Sequence, residues 1–273
     1  MKNTLITCFF IVGLIVGCKK EDPIIPLEVT GFDKKTVILM PSSRWTLKVN
    51  QRATIKTSAG SATQDMADSL VYTAPSTVGN YRITVKSERN QQDSLVIKVA
   101  VTPRANVLRP LQKGGYVLVF RHAAADVGAD QLGSTTPEWW KSCDSKLARQ
   151  LNATGRQESI DIGQTLRNLQ IPVGRVISSE YCRCFTTADL MNMGVPTQQS
   201  KDLTYYVYEE AKRYANTMQV AQNQPIDNQN SLLVIHAGFE GTLPTPAPLA
   251  TLNWSDAAVF QLVQGQAPRY IAT

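Results

Sequence analysis

The sequence predicts an α/β layer fold over its second half, preceded by a small all-β sandwich, and three observations predict it. Residues 27–104 alternate apolar and polar positions at a period of two, with Gly, Ser, Asn and Asp between the runs. From about residue 105 the runs become continuously apolar, as in strands of a parallel sheet covered on both faces. Those runs then alternate with stretches of helical period.

The chain opens on an address. Lys2 precedes the apolar run Leu5 to Gly17, which is short for a membrane span of about 20 residues. The run closes on Ile15-Val16-Gly17-Cys18 and gives way to polar Lys19-Lys20-Glu21-Asp22. This resembles a bacterial lipobox. It implies a signal peptide over 1–17, a lipidated Cys18 as the mature N-terminus and a tether over 18–26. The expected location is extracytoplasmic, as a membrane lipoprotein facing the periplasm or the cell surface. Several acyl chains hold a protein at a membrane where one does not. The chain carries 28 Lys+Arg against 22 Asp+Glu. Removing 1–17 takes away only Lys2 among these, so the mature charge is 27 − 22 = +5. The excess is spread along the chain rather than gathered in a tract. It suits anionic ligands mildly and does not call for nucleic acid.

Four runs mark the β-module over 27–104: Thr46 to Val49, Ala53 to Lys56, Tyr81 to Val85 and Ser94 to Val99. Val71-Tyr72-Thr73-Ala74-Pro75, followed by Gly79-Asn80-Tyr81, is similar to the latter half of bacterial immunoglobulin-like modules. The module has no His and no Cys, so a spacer or a module for a surface partner is expected.

Over 105–273, Tyr116 to Phe120 is a continuous apolar strand. A helix is expected from about Thr154, with Thr154 and Gln157 as a capping box and Ile160, Gly163, Leu166 and Leu169 along one face. A strand over Val173 to Ser178 follows, then helices over about Cys182 to Met193 and Tyr206 to Gln222. Strands at Leu232 to Ile235 and Ala257 to Val263 complete the alternation.

The chain contains two His, and each stands directly after an apolar strand: Phe120-Arg121-His122 and Val234-Ile235-His236. Carboxyl ends of strands form the ligand crevice of an open α/β sheet, so both imidazoles are expected at one rim. The strand ending in Ser178-Ser179 leads to Arg183 and brings a second guanidinium there. Two Arg and two His without clustered carboxylates suit a tetrahedral anion, because a guanidinium presents a fork of donors and stays charged. There is no GxxxxGK[ST] loop, no HExxH and no paired CxxC. No cofactor and no metal are expected.

Leu118-Val119-Phe120-Arg121-His122 resembles the Arg-His-Gly signature of the histidine phosphatase superfamily, which has the phosphoglycerate mutase-like fold. Leu151 through Gly155, with Glu158, resembles its Leu-Thr-x-x-Gly-x-x-Gln/Glu helix start. Ser178-Ser179 with Arg183, Thr187 and Ala188 resembles its Ser-Ser-x-x-x-Arg-x-x-x-Thr-Ala segment. Val234-Ile235-His236 resembles its second-histidine strand. The resemblance covers about residues 113–265 and implies a three-layer histidine phosphatase domain over 105–273. It implies a metal-independent phosphomonoesterase, with His122 the nucleophile that forms a phosphohistidine. Arg121, Arg183 and His236 would then bind the equatorial oxygens. The expected ligand is a small phosphorylated substrate or inorganic phosphate.

Two positions depart from that pattern. Ala123 stands where the family has Gly, and Ala237 stands where one branch has an Asp general acid. Asp202, Glu209, Glu210 and Glu240 are the candidates for the missing acid. These departures motivate a second reading, a phosphate-binding lipoprotein without turnover. The β-module motivates a third, an adhesion or scaffold lipoprotein. Of the five Cys, Cys8 lies in the signal and Cys18 is the lipid site. Cys143, in the loop after the first strand, can pair with Cys182 or with Cys184, which leaves one thiol. Trp139 and Trp140 in the same loop wall the pocket or cover core, the second being the usual role.

Overall fold

The computed structural model describes residues 25–66, 68–236 and 247–273, without the side chains of Asp65, Glu210 and Ala247. The expectations for the signal peptide, Cys18, Ala237 and Glu240 lie outside the described residues.

Eight strands come first, in two sheets. β1 (Val29–Thr30), β3 (Arg44–Val49), β6 (Ser69–Thr73) and β5 (Ser61–Met66) form one in that order. β2 (Val37–Leu39), β8 (Ser94–Val101), β7 (Gly79–Ser87) and β4 (Ala53–Thr57) form the other. The period-two pattern sends Leu47, Val49, Leu70 and Tyr72 from the first sheet into a shared core with Ile83, Val85, Ile97 and Val99 from the second. Each such side chain contributes about 1.5–3 kcal/mol on burial. Alternate residues such as Lys48, Arg82 and Lys98 face water. All four expected strands are present, each slightly longer than its apolar run.

After α1 (Ala105–Leu111) a six-stranded sheet begins with β9 (Tyr116–Arg121). Its order is β11 (Thr197–Ser200), β10 (Val173–Ser179), β12 (Asn230–Ile235), β9, β13 (Ala257–Gln261) and β14 (Arg269–Ala272). The first four run parallel, and β13 joins β9 antiparallel. α2 (Ala153–Asn168) and α3 (Cys182–Met191) share a core with Leu118, Phe120, Leu232 and Val234 on one face. α4 (Arg213–Gln222) and α5 (Ala247–Ala250) share another with Val117, Val119, Leu233 and Ile235 on the opposite face. This explains why β9 and β12 read as unbroken apolar runs: both faces are covered.

Two expectations about helix starts are corrected. The cap of α2 is Asn152, whose side chain accepts from the Gly155 N–H at 2.8 Å. Gln157 turns instead to Asp161, so Thr154 and Gln157 form no capping box. The helix expected from Tyr206 starts at Arg213, because Tyr206 has a φ of 72°, which a right-handed helix does not accommodate. A second effect concerns glycine: a Cβ on Gly155 would strike the Ala124 carbonyl, and one on Gly163 the Met191 carbonyl. α2 therefore lies directly against the loop after β9 and against α3.

The sandwich meets the α/β unit at the far end of α2. Thr36 Oγ1 donates to Asn168 O at 2.8 Å, Gln112 Nε2 donates to Thr36 O at 2.8 Å, and Arg109 Nε donates to Ile38 O at 2.6 Å. The 16 residues of α2 put roughly 24 Å between this seam and the start of the helix. Residues 25 and 26 are held at the other end of the sandwich, where Gln51 and Asn50 donate to the carbonyls of Ile25 and Pro26.

Candidate active site

Parallel pairing sets the two histidines side by side. β9 and β12 pair with Arg121 opposite Ile235, so the next residue on each is a histidine. The His122 N–H donates to Ile235 O at 2.9 Å. The ring centroids are 5.5 Å apart and each residue is only 2% exposed. β10 lies on the other side of β12 and brings Ser179 Oγ within 3.0 Å of His236 Nε2. α3 starts immediately afterwards, which places Arg183 in its first turn with Nη2 3.3 Å from His236 Nδ1.

Partner chemistry assigns the tautomers. His122 Nδ1 is 2.8 Å from the Ala123 carbonyl. A carbonyl only accepts, so Nδ1 carries the proton and Nε2 keeps its lone pair. His236 is the reverse: a guanidinium only donates, so Nδ1 accepts from Arg183 and Nε2–H donates to Ser179 Oγ. Both nitrogens of His236 are thus engaged within the protein, and contact with a ligand oxygen requires exchanging one of these partners. Burial first, and Arg183 second, hold both imidazoles well below the usual histidine range. Both are neutral at neutral pH. The Cys184 thiol lies 3.5 Å from His236 Nε2, and burial pushes it up to about 12, so it stays protonated.

The neighbouring segments pin this rim. Thr187 Oγ1 accepts from the Ala123 N–H at 3.1 Å and donates to Arg183 O at 2.8 Å, tying the chain after β9 to α3. Glu158 accepts from Ser255 Oγ at 2.7 Å and, more weakly, from the Ala124 N–H at 3.4 Å. Ala123 is buried with Ala125 and Leu151 and has no left-handed φ. The missing glycine therefore leaves no strain behind.

A cavity of about 410 Å³ opens onto the rim, lined by Ala129, Asp130, Leu132, Arg149, Arg183 and His236 among others. A larger cleft of about 620 Å³ lies at the start of β9, beside Arg109, Lys113 and Asp227, and contains neither His. Volume alone does not choose the site. Arg183 is 1% exposed, stacks 4.2 Å over the Tyr181 ring and donates Nη1 to Asp130 Oδ1 at 2.9 Å. Arg121 donates Nη1 to Leu252 O at 3.0 Å and lies 5.6 Å over the Trp254 ring. The Nε atoms of Arg121, Arg149 and Arg183 are buried without a partner among the described residues. Each orphan donor costs about 1–3 kcal/mol unless an acceptor arrives. An anion supplies acceptors to such a cluster.

Of the expected site residues, His122, His236 and Arg183 come together, and Arg121 follows on β9 at the same rim. Arg149 and Asp130 were not expected there. Arg149 stands just before the Leu151–Gly155 helix start, and its adjacency to that segment is the signal that could have found it. The acid candidates fare differently. Asp202 and Glu209 do not line the cavity, since Glu209 pairs with Lys212 at the surface. The side chains of Glu210 and Glu240 lie outside what the structure describes. Cys143 pairs with Cys182, joining the loop after β9 to the first turn of α3. Trp139 packs in the core 5.8 Å from the Tyr181 ring, and Trp140 donates Nε1 to Glu180 at 3.2 Å. Neither lines the cavity. Among the described residues no group of three His, Cys, Asp or Glu is placed to hold a metal ion, and no helix is long and apolar enough to cross a membrane.

No protein-family model and no curated protein matches the chain. Solved structures similar to it include the protein histidine phosphatase SixA complexed with tungstate, at 17% identity and a TM-score of 0.38, over 57% of this chain and 94% of the other. Mycobacterial hydrolase 1 is similar at 12% identity and a TM-score of 0.39, over 59% and 97%. A phosphoserine phosphatase from Entamoeba histolytica, in complex with 3-phosphoglyceric acid, is similar at 12% identity and a TM-score of 0.35, over 57% and 95%. At such values the likeness decides nothing about function, which has to be argued from the side chains.

Proposed function

We propose that this chain is a metal-independent phosphomonoesterase acting through a phosphohistidine on His122. One observation carries the reading: a neutral, buried imidazole with Nδ1–H tied to the Ala123 carbonyl stands at a rim rich in guanidiniums with unpaired donors. A neutral imidazole with a free Nε2 lone pair is a nucleophile. Arg121, Arg149 and Arg183 are the cations that hold the charge of a transferring phosphoryl group. Nε2 attacks phosphorus in line with the ester oxygen, which departs as a P–N bond forms. Water then attacks phosphorus on the opposite side from nitrogen, releasing inorganic phosphate and His122. Purified mature chain is expected to hydrolyse para-nitrophenyl phosphate in the presence of a chelator. His122→Ala is expected to lower that turnover by about 10⁶, the scale of a lost hydrolase nucleophile. A wild type that binds phosphate but turns over nothing replaces this reading with the phosphate-binding one.

The same proposal includes the location. A lipid on Cys18 would hold the protein outside the cytoplasm, and Cys18→Ser should then move it from the membrane to the soluble fraction. Residues 27–104 would act as a spacer. The tether enters the sandwich at the end away from the seam, and the seam lies at the end of α2 away from His122. That arrangement supports a pocket facing away from the anchoring surface.

A further inference from the structure

Phosphoryl transfer from an alkyl ester needs a proton for the departing oxygen, because an alkoxide is a poor leaving group. We propose that Asp130 donates it, an inference that rests on the phosphatase reading of the same site. Among the described residues Asp130 is the carboxylate that lines the cavity together with Arg149, Arg183 and His236. Its Oδ1 accepts from Arg183 Nη1 at 2.9 Å and from the Arg149 N–H at 3.0 Å, and its side chain is 18% exposed. Arg183 thus reaches Asp130 with one terminal nitrogen and His236 with the other. A phosphoryl group held by Arg183 sits within reach of the carboxyl.

In-line attack fixes the rest of the geometry. His122 does not itself line the cavity but is buried beside His236, which does, so in-line attack requires the ester oxygen opposite Nε2 to point toward that cavity. That is the side on which the loop carrying Asp130 lies. The charged and titratable groups facing Asp130 are Arg183 from α3, Arg149 ahead of α2, neutral His236 after β12 and Tyr206 before α4. The proton that Asp130 delivers comes from solvent as substrate binds. The step then balances. The Nε2 lone pair forms the P–N bond, the P–O ester bond breaks, and its electron pair takes the proton from Asp130 to give a neutral alcohol. In the second half the attacking water passes its proton to a phosphoryl oxygen, and Asp130 regains its own from solvent before the next cycle. The P–N bond breaks with its pair returning to Nε2.

The experiment compares leaving groups. In Asp130→Asn, turnover of glycerol phosphate is expected to fall by about 10²–10³, the scale of general acid catalysis. The fall on para-nitrophenyl phosphate, whose phenolate leaves unaided, is expected to be at least about tenfold smaller. Asp130→Glu should restore part of the glycerol phosphate activity, and it carries the same comparison if Asp130→Asn does not fold. Equal losses on both substrates, with a raised KM, would overturn the proposal and leave Asp130 as a positioning residue for Arg183. A wild type inert toward every ester removes the phosphatase reading itself. A wild type active on the aryl ester with no selective loss in the variant removes only the acid.

Discussion

Residues 27–104 carry 11 Lys+Arg against 6 Asp+Glu, whereas residues 105–273 carry 14 against 14. The charge excess forms no basic tract but sits in the sandwich, at 11 − 6 = +5. Buried titratable and cationic groups show the opposite distribution. The neutral imidazoles of His122 and His236 and the guanidiniums of Arg183 and Arg213 are all nearly inaccessible, and all lie in the α/β unit, whose net charge is zero. In the sandwich, cations such as Arg82 and Lys98 stand in water above an apolar core, the inexpensive way to place charge. Burying an ionised group costs several kcal/mol unless partners compensate. A fold that could have kept these groups outside, as its own first half does, holds His122, His236 and Arg183 at one rim. Net charge and functional charge are thus separate properties of this chain, and only the second marks a site.

The comparison is broken most directly by removing one cation from each region. Arg183→Ala is expected to lower kcat/KM by about 10²–10³, the scale of losing one donor to a developing oxyanion. It also leaves Asp130 without its guanidinium and His236 without its Nδ1 donor. Lys98→Ala, on the sandwich surface, is expected to leave kcat/KM unchanged and stability within about 0.5 kcal/mol. Steady-state kinetics and urea denaturation of both variants measure the contrast. Similar losses in both would mean that the exposed charge matters as much as the buried charge.

How much of this was legible beforehand follows the same division. The strands β9 and β12 were visible because burial on two faces leaves an unbroken apolar run in each, Val117 to Phe120 and Leu232 to Ile235. Both histidines were placed at one rim because each follows such a strand. Residues at the rim without periodic neighbours were not visible. Asp130 sits in the long segment between β9 and α2, where no repeat constrains direction and only long-range contacts bring it to Arg183. β11 was missed because Thr197-Gln198-Gln199-Ser200 has no apolar position to alternate. The cysteine pairing stayed open because spacing alone does not say which way a helix turns. Cys182 and Cys184 are two residues apart in α3, about 200° around the axis, so one meets Cys143 in the loop while the other faces His236. The turn at Tyr206 broke a plausible helical period for a local reason, a left-handed backbone that composition does not announce.

The finer contrast concerns acid, and it turns on sign. Both imidazoles are held well below their ordinary value of about 6.5, by burial first and by Arg183 second. Above about pH 6.5 the histidines are neutral in folded and unfolded chain alike, and they add no pH dependence. Below it the unfolded chain binds protons that the folded chain refuses, so stability falls as pH falls. Between pH 7.5 and 5.5 the loss is about 1.4 kcal/mol per histidine. The sandwich contains no His and has no such dependence of its own. Urea denaturation at the two pH values should therefore show the wild type losing about 2–3 kcal/mol more than His122→Gln/His236→Gln, since carboxylate contributions cancel in the difference. Parallel losses in both proteins would mean that the imidazoles are charged or hydrated in the folded state. His122 would then need to lose a proton before it could attack phosphorus.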